Sequence, residues 1–296
     1  MSKALLFSAC ILLLMSSCNN AGNAVTATDS TAATSAAASV NPASDWKFGI
    51  ALWTFHTFSF PESLAKSDSA GVHFVEPNTF SRIGSAATDT LIFDLSLTGV
   101  SRLQSMAAAK NLAIESVYIA GDSTMTSWVK QFEIAKHMGA KLVTTEPPLN
   151  LWDGIDSLAG VYGMKVAIHE HWKGVSHYWN PDTVLLALKG HPNFGVCADL
   201  GHWPKSGINP LEALKKLSGH ILVVHLKDIA AYNDPTLKDV PVGKGIVDFP
   251  AVFAELKKQG FKGYIYIERD AEDKPSNLPS VIETVKYYNA AIAQLK

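Results

Sequence analysis

Histidine and carboxylate residues recur in the second half of the chain, each group at the end of a short apolar run. The triplet HEH at 169–171 follows VAI, Asp199 ends FGVCAD, His225 lies near the end of ILVVHL, and Glu268 ends YIYIE. A lone residue of this kind is more often a hydrogen-bonding partner in a loop than a ligand. Brought together in one pocket, such groups would repel one another or stay unsatisfied without a cation. The pattern predicts a divalent metal site, and imidazole with carboxylate favours Mn, Zn, Co or Fe over Mg or Ca.

The apolar runs that carry these groups belong to a pattern that extends over most of the chain. Short segments rich in β-branched and aromatic residues alternate with longer segments of helical period, which is typical of βα units. The predicted strands are 48–53, 72–76, 113–119, 141–146, 165–171, 194–199, 221–226 and 264–268. Eight such units in roughly 250 residues predict a single-domain α/β fold, the (β/α)₈ TIM barrel. A doubly wound open sheet is the alternative, but the glycine fingerprint of its first turn is absent. Because the carboxyl ends of barrel strands face one pocket, the histidines and carboxylates should meet there.

The first 44 residues differ from the rest in composition. Lys3 precedes an apolar run over 4–15 that is too short to span a bilayer, and Ser16-Ser17-Cys18 follows it. This arrangement predicts a signal peptide over 1–18, and it resembles the lipobox of bacterial lipoproteins, in which the cysteine is lipidated. An ordinary cleaved signal with Cys18 incidental is the alternative. Residues 19–44 are almost entirely small and polar, which predicts a flexible tether and leaves 45–296 for the barrel.

The predicted signal, the charge balance and the cysteine count together limit location and partners. We expect an exported protein, lipid-anchored to a bacterial membrane, periplasmic or at the cell surface, with no other membrane contact. Lys plus Arg is 25 and Asp plus Glu is 27, so the chain lacks the positive charge that nucleic-acid binding requires. Of the cysteines at 10, 18 and 197, two fall in the signal, so no disulfide framework is available. The sequence makes no prediction of the oligomeric state.

Five stretches of the chain resemble the sugar isomerase/epimerase family of xylose isomerase-like barrels, from about residue 48 to the C-terminus. They are VAIHEHW (166–172), CADLGHW (197–203), VVHLKD (223–228), VPVGKGIVDFPAVFAEL (240–256) and GYIYIERD (263–270). Each motif is weak alone, but together, in this order and spacing, they are specific. The resemblance implies a TIM barrel that acts on a small carbohydrate with a divalent metal. By match to the family pattern, three of its ligands would be Asp199, His225 and Glu268.

The fourth ligand is where the sequence departs from the family, which has a glutamate at the end of the fifth strand. Here the apolar run is followed by His169, Glu170 and His171. Strand alternation puts 169 and 171 on one face and 170 on the other. We therefore predict His169 as the ligand, with Glu170 as the alternative if a bulge shifts the register. His171 would then support the site or contact substrate.

The departure at residue 169 bears on the reaction that the resemblance implies. Family epimerases use two metal-bound glutamates as acid and base, so symmetric proton exchange is not expected with histidine at one of them. A lyase, a dehydratase or a one-base isomerase remains, in which a carboxylate removes a proton beside a carbonyl that the metal polarises. The candidate bases are Glu268 and Glu170, and the candidate acids are His202 and His171. The alternative is a non-enzymatic sugar-binding lipoprotein on the same barrel.

Further residues near the predicted strand ends are candidates for contact with substrate. Glu146 ends the fourth strand, and either reaches the pocket or caps the turn before Pro147. Lys227 and Lys244 stand at the two ends of a long connection, 227–247, which predicts a lid over the pocket. The aromatic residues that we expect to stack on a sugar, or else to pack at the barrel mouth, are Trp53, Phe55, Trp172 and Trp203. An exported protein meets few sugar phosphates, and no phosphate-binding glycine loop is present, so we expect an unphosphorylated sugar or keto-sugar.

Overall fold

Eight parallel strands form one sheet in the computed structural model, which describes residues 45–295. The strands run through segments of β-branched and aromatic residues that are buried on both faces, as expected for a parallel sheet covered by helices. In chain order they are β1 (Lys47–Ala51), β2 (Phe74–Glu76), β3 (Ser116–Tyr118), β4 (Leu142–Thr145), β5 (Lys165–Ile168), β6 (Phe194–Asp199), β7 (Ile221–Leu226) and β8 (Tyr264–Ile267). Each predicted strand is present, and most are shorter than predicted.

The sheet curls into a nearly closed barrel. Its strand order is β2-β1-β8-β7-β6-β5-β4-β3, which leaves β2 and β3 at the two edges. These edges meet through backbone hydrogen bonds, from Val75 N–H to the Ala113 carbonyl at 3.0 Å and from Tyr118 N–H to the Pro77 carbonyl at 2.8 Å. The prediction of a single (β/α)₈ TIM barrel is confirmed.

Helices follow the strands around the outside of the barrel, and their starts carry the predicted caps. Asn180 accepts a hydrogen bond from Asp182 N–H, and Asn209 accepts from Leu211 and Glu212 N–H, in each case with proline at the first helical position. The helices are α1 (Phe60–Ser69), α2 (Leu97–Ala108), α3 (Met125–Met138), α4 (Trp152–Tyr162), α5 (Pro181–Leu188), α6 (His202–Lys205), α7 (Pro210–Lys216), α8 (Phe249–Lys258) and α9 (Leu278–Ala293). None of those in the described part of the chain is long and apolar enough to cross a membrane.

The barrel interior contains a small layer of side chains directly beneath the histidines and carboxylates at the strand ends. This layer contains Ala167, Cys197, Val223 and Tyr266, all at most marginally exposed. Because side chains alternate along a strand, the residue two positions further on points the same way. The residues two positions beyond these four are His169, Asp199, His225 and Glu268, so the interior layer supports them from below.

The long connection after β7 is anchored at both of its stems. Asp228–Ile229 pairs antiparallel with Asp239–Val240, and the Asp228 carboxylate accepts hydrogen bonds from Gly243, Gly245 and Val247 N–H at 2.8–3.2 Å. A Cβ at Gly245 would lie 2.3 Å from Asp228 Oδ1, which explains glycine there. The buried Arg269 guanidinium hydrogen-bonds Asp239, whose other oxygen accepts Asp270 N–H at 2.8 Å. Residues 230–238 form the tip between these stems.

The N-terminal predictions fall outside the part of the chain that the structure describes. They are the signal peptide over 1–18, the lipidation of Cys18 and the tether over 19–44. They remain predictions from the sequence.

Candidate metal centre and cavity

Four buried side chains converge at the carboxyl ends of β5 to β8. His169, Asp199, His225 and Glu268 each offer one ligand atom, and these atoms all lie within 4.8 Å of one another. His169 Nε2, Asp199 Oδ2, His225 Nδ1 and Glu268 Oε2 are buried, and none of them has a well-formed hydrogen bond with a described residue. Their contacts are ionic: His225 Nδ1 lies 2.9 Å from Glu268 Oε2, and a neighbouring lysine lies 3.1–3.2 Å from the two carboxylate oxygens. Buried polar atoms without well-formed hydrogen bonds are costly, and a cation shared by all four would satisfy them. The donor set, two imidazoles and two carboxylates, therefore fits a divalent metal.

In three of these four side chains, the nitrogen or oxygen that is not a candidate ligand atom contacts a neighbouring residue. These contacts orient the ligand atoms toward one another. His225 Nε2–H donates to Glu76 Oε2 at 2.9 Å, and Thr144 Oγ1 donates to the other oxygen of Glu76 at 2.6 Å. Asp199 Oδ1 accepts from Gly201 and His202 N–H at 2.9 and 3.0 Å. The Tyr118 hydroxyl lies 3.3 Å from His169 Nδ1. Such outer contacts orient metal ligands and fix the tautomer of a ligating histidine.

The two carboxylates of the cluster are ionised, because a buried lysine lies between them. Lys227 Nζ is 3.2 Å from Asp199 Oδ2, 3.1 Å from Glu268 Oε2 and 2.9 Å from Asp270 Oδ2. Burial alone would raise the pKa of Asp199, but the Lys227 ammonium and a hydrogen bond from His169 hold it well below its usual value. Burial opposes ionisation of Glu268 as well, and His225 and Lys227 keep its pKa well below the ordinary range. Lys227, predicted to contact substrate, does line the cavity while pairing with these carboxylates.

The choice between His169 and Glu170 follows from the strand register. Pairing of β5 with β6 is regular up to Ile168 and Val196, and the register shift at residue 196 belongs to the pairing of β6 with β7. Without a bulge in β5, His169 points into the barrel mouth and Glu170 points away. Glu170 Oε1 accepts the backbone N–H of Asp199 at 2.8 Å, and burial raises the pKa of this carboxyl well above its usual value. Glu170 thus supports Asp199 and does not line the cavity, a placement that does not favour its expected role as a base.

Glu146 and His171 form a pair at the edge of the cluster. Glu146 Oε1 hydrogen-bonds His171 Nδ1, and Ser176 Oγ donates to Glu146 Oε2 at 2.6 Å. Burial tends to raise the pKa of Glu146, but hydrogen bonds from His169 and His171 lower it to about 2. Glu146 therefore stays ionised and sets the orientation of His171. His171 lines the cavity and Glu146 does not, so Glu146 is linked to the cavity only through His171.

A cavity of about 460 Å³ opens above the ligand cluster. One wall is aromatic and contains Trp53, Phe80 and Tyr118, whose rings contact one another in sequence. His202 lies on the opposite side, and Lys227 Nζ is 3.1 Å from its Nε2. Since an ammonium group only donates, Nε2 accepts and the proton of neutral His202 is on Nδ1. The remaining lining residues are His56, Asn78, His169, His171, Trp172, Lys205, Lys227, Pro235, Thr236, Leu237, Lys238, Glu268 and Asp270.

Two predicted substrate residues lie away from the cavity. Trp203 is fully buried in the core. It follows His202 in the same helix, and consecutive helical residues point in different directions, so only His202 faces the cavity. Lys244 is exposed in the turn whose backbone binds Asp228, and its side chain points to solvent. Trp172, by contrast, lines the cavity as predicted.

Sequence reasoning missed several residues of the site. Glu76 ends a strand and so carried a visible signal, but its bond to His225 joins residues 149 positions apart. Tyr118 and Asp270 also follow or end strands and had no predicted role. Lys205 lies in the fourth position of a very short helix, and no local pattern marks it as a cavity residue.

Comparison with known proteins identifies relatives over most of the barrel. The family described as xylose isomerase-like TIM barrel matches residues 64–291. Inosose dehydratase of Clostridium perfringens is 27% identical over 176 residues, which cover 53% of this chain and 59% of that protein. L-ribulose-5-phosphate 3-epimerase of Salmonella paratyphi A is 30% identical over 121 residues, 41% of this chain and 38% of that one. The chain thus spans about half the length of the curated relatives it matches.

Solved structures cover the barrel more fully. An uncharacterized protein of Parabacteroides distasonis is 37% identical, with a TM-score of 0.66 over 83% of this chain and 99% of its own. The IOLI protein, whose crystal structure contains a zinc atom, is 17% identical, with a TM-score of 0.69 over 84% of this chain and 99% of its own. The second similarity is one of fold.

Proposed function

Because the chain belongs to the xylose isomerase-like TIM barrel family, we propose that it is a divalent-metal-dependent enzyme that removes a proton beside a carbonyl group of a sugar derivative. The reaction class is isomerisation, epimerisation, or elimination by a lyase or dehydratase. One observation carries the proposal: four buried ligand atoms, from two imidazoles and two carboxylates, lie within 4.8 Å of one another and have no well-formed hydrogen bonds in the described chain. Such an arrangement is expensive unless it binds a cation.

The chemistry of the donor set bears on the metal. His169 and His225 supply imidazole nitrogen, which suits Zn, Mn, Co or Fe better than Mg or Ca. The zinc in the IOLI protein is compatible with this preference. When bound, a divalent metal supplies Lewis acidity, which lowers the cost of negative charge on the substrate oxygen by several kcal/mol.

Different residues of the cavity carry out the two proton transfers, one at carbon and one at oxygen. Glu268 lines the cavity as an ionised carboxylate and accepts the proton from carbon. His171 lines the same cavity and delivers a proton to the departing or migrating oxygen through Nε2, because Glu146 occupies Nδ1. His202 is held neutral by burial and by the Lys227 ammonium, from which its Nε2 accepts a hydrogen bond, so His171 is the better placed of the two acids. A positioned acid or base commonly contributes 10²–10⁴-fold.

The two sides of this site are not chemically equivalent, and this asymmetry favours elimination or one-base isomerisation over symmetric epimerisation. A carboxylate stands on the β8 side, whereas His169 and His171 stand on the β5 side. The name inosose dehydratase among the relatives fits an elimination. From the predicted export and lipidation at Cys18, we further propose an unphosphorylated substrate, although the epimerase relative is named for a phosphorylated one.

Metal analysis together with isotope exchange tests the proposal. The metal-loaded protein is mixed in deuterated water with a panel of free sugars, keto-sugars and keto-glycosides, and deuterium beside the carbonyl is followed by NMR. We expect one equivalent of metal, and exchange or product with at least one keto compound, lost with a chelator and restored by metal. His171→Asn should lose turnover while keeping the metal, because His171 serves the oxygen and Glu268 the carbon. If some sugars bind but none exchanges or reacts, a sugar-binding protein replaces the enzyme.

A further inference from the structure

Lys205 is a nearly buried lysine whose charge no acidic side chain neutralises directly. Its side chain is 8% exposed and lines the cavity. Among residues 45–295 its ammonium forms no hydrogen bond or ion pair, whereas Lys227 nearby contacts three carboxylates. Asp270 and Asp234 act on it only through longer-range attraction. Burying an unpaired ammonium is unfavourable, so a group that pairs with it is missing from the protein itself.

The position of the ammonium is fixed by surrounding contacts. Lys205 Nζ lies 4.1 Å from the centre of the Trp172 ring, a cation–π contact. Lys173 N–H donates to Ser206 Oγ at 2.8 Å, which holds the loop bearing Trp172 against the end of α6. Asn233 N–H donates to the Pro204 carbonyl at 2.9 Å and places the loop tip over the same helix. The side chain is therefore organised before any ligand arrives.

A second cation faces the same part of the cavity. Lys238, in the loop tip, lines the cavity beside Thr236 and has no ionic partner within the described chain. The opposite wall is aromatic, with Trp53, Phe80 and Tyr118. The cavity is thus lined by members of the ligand cluster, by aromatic rings and by two ammonium groups, of which that of Lys205 is buried and that of Lys238 is exposed. A neutral sugar would leave the buried Lys205 ammonium without an anionic partner, whereas Lys238 is exposed and its ammonium is solvated.

We propose that Lys205 binds an anionic oxygen group of the substrate, with Lys238 as a second contact from the loop tip. The inference rests on the proposed function, in which the reacting carbonyl lies at the cluster of metal ligands. His202 lies 3.6 Å from Asp199 at that cluster, and Lys205 follows it by three residues on the same helix. Residues three apart are neighbours on one helix face, so the anionic group lies one helical turn from the reacting end. The substrate class is a sugar acid: a carboxylate if the substrate is unphosphorylated, a phosphate otherwise.

Binding of matched probes tests the inference without requiring turnover. The metal-loaded protein is titrated with D-glucose, D-glucuronate and D-glucose 6-phosphate, and tryptophan fluorescence is followed because Trp172 contacts Lys205. A charge-assisted hydrogen bond is worth about tenfold to a hundredfold in affinity. We expect at least one anionic probe to bind about tenfold or more tightly than D-glucose. Lys205→Met should abolish this preference, and Lys205→Arg should retain most of it. Lys244→Met, at an exposed lysine away from the cavity, should change nothing.

The outcomes separate this inference from the proposed function. Preference for glucuronate supports a carboxylate substrate, and preference for the phosphate supports the anionic site while contradicting the unphosphorylated substrate. If no anionic probe binds more tightly than D-glucose, or if Lys205→Met keeps the preference, the inference is overturned. Failure of the proposed function would appear instead as absence of bound metal or of isotope exchange. Metal content and thermal unfolding of Lys205→Met are measured as controls. If both are unchanged, loss of tight binding of the anionic probe is not due to a folding defect.

Discussion

Replacing Glu76 with glutamine should weaken metal binding about tenfold and leave the barrel folded. Glu76 Oε2 accepts the Nε2–H of His225 at 2.9 Å, and both side chains are fully buried. Glutamine keeps the shape and an oxygen acceptor but removes the negative charge, so a charge-assisted hydrogen bond becomes a neutral one. The difference is about 1–1.5 kcal/mol, and about 1.4 kcal/mol corresponds to a tenfold change in Kd. Loss of such outer-shell partners typically costs 10- to 100-fold in metal affinity.

Competition with a fluorescent zinc chelator at pH 7 measures the effect on Kd, and urea unfolding of the metal-free proteins measures stability separately. Thr144→Val is the matched control, because it removes the hydrogen bond to the other oxygen of Glu76 and leaves the contact with His225. We expect this variant to change Kd by less than about threefold. Equal zinc affinity in Glu76→Gln and the natural protein would refute the assignment of His225 Nδ1 as a ligand oriented by Glu76.

Three further predictions concern the metal ligands, the N-terminus and acid stability. Asp199→Ala and His225→Ala should each lose most of the bound metal by elemental analysis while keeping the far-UV circular dichroism of the barrel; full metal content in both would reject the ligand set. Cys18→Ala should move the protein from the membrane to the soluble fraction, and mass spectrometry of the native protein should find acyl chains on Cys18. Burial tends to raise the pKa of Glu115, but hydrogen bonds from Lys141, Lys47 and Tyr264 lower it to about 2. The stabilisation that comes from ionised Glu115 is complete above pH 4.5 and is lost as pH falls toward 2. Glu115→Gln should therefore lower the free energy of unfolding by about 1–2 kcal/mol at pH 7, after allowance for solvent screening. The difference between the variant and the natural protein should vanish near pH 2 in urea unfolding.

The residues that could be predicted from sequence are those whose place follows from a strand. Asp199, His225 and Glu268 end successive parallel strands, and a barrel brings such ends to one mouth whatever the helices do. His169 could be chosen over Glu170 because alternation along β5 has a fixed period. The same reasoning predicted the barrel itself, since eight alternating units have few other ways to bury their apolar faces.

The residues that could not be predicted depend on packing between distant segments. Trp203 and Lys205 lie in the same short helix, and only the docking of α6 decides that the lysine reaches the cavity and the tryptophan does not. Lys227 reads as a loop residue, yet it is buried among three carboxylates that come from β6 and the end of β8. Glu146 ends a strand like the metal ligands, and its link to His171 becomes visible only when the loop after β5 has folded.

Because both stems of the connection after β7 are anchored, the loop tip between them can change without loss of the anchors. Asp228 ties one stem to the turn at 243–247, and Asp239 ties the other to Arg269 and the backbone after β8. Neither anchor uses a side chain from the tip, residues 230–238. Substitutions, insertions or exchange of the tip between relatives would therefore alter the roof of the cavity without disturbing the ligands below. Changes in these nine consecutive residues can thus alter which substrates enter the cavity, while the ligand cluster stays the same.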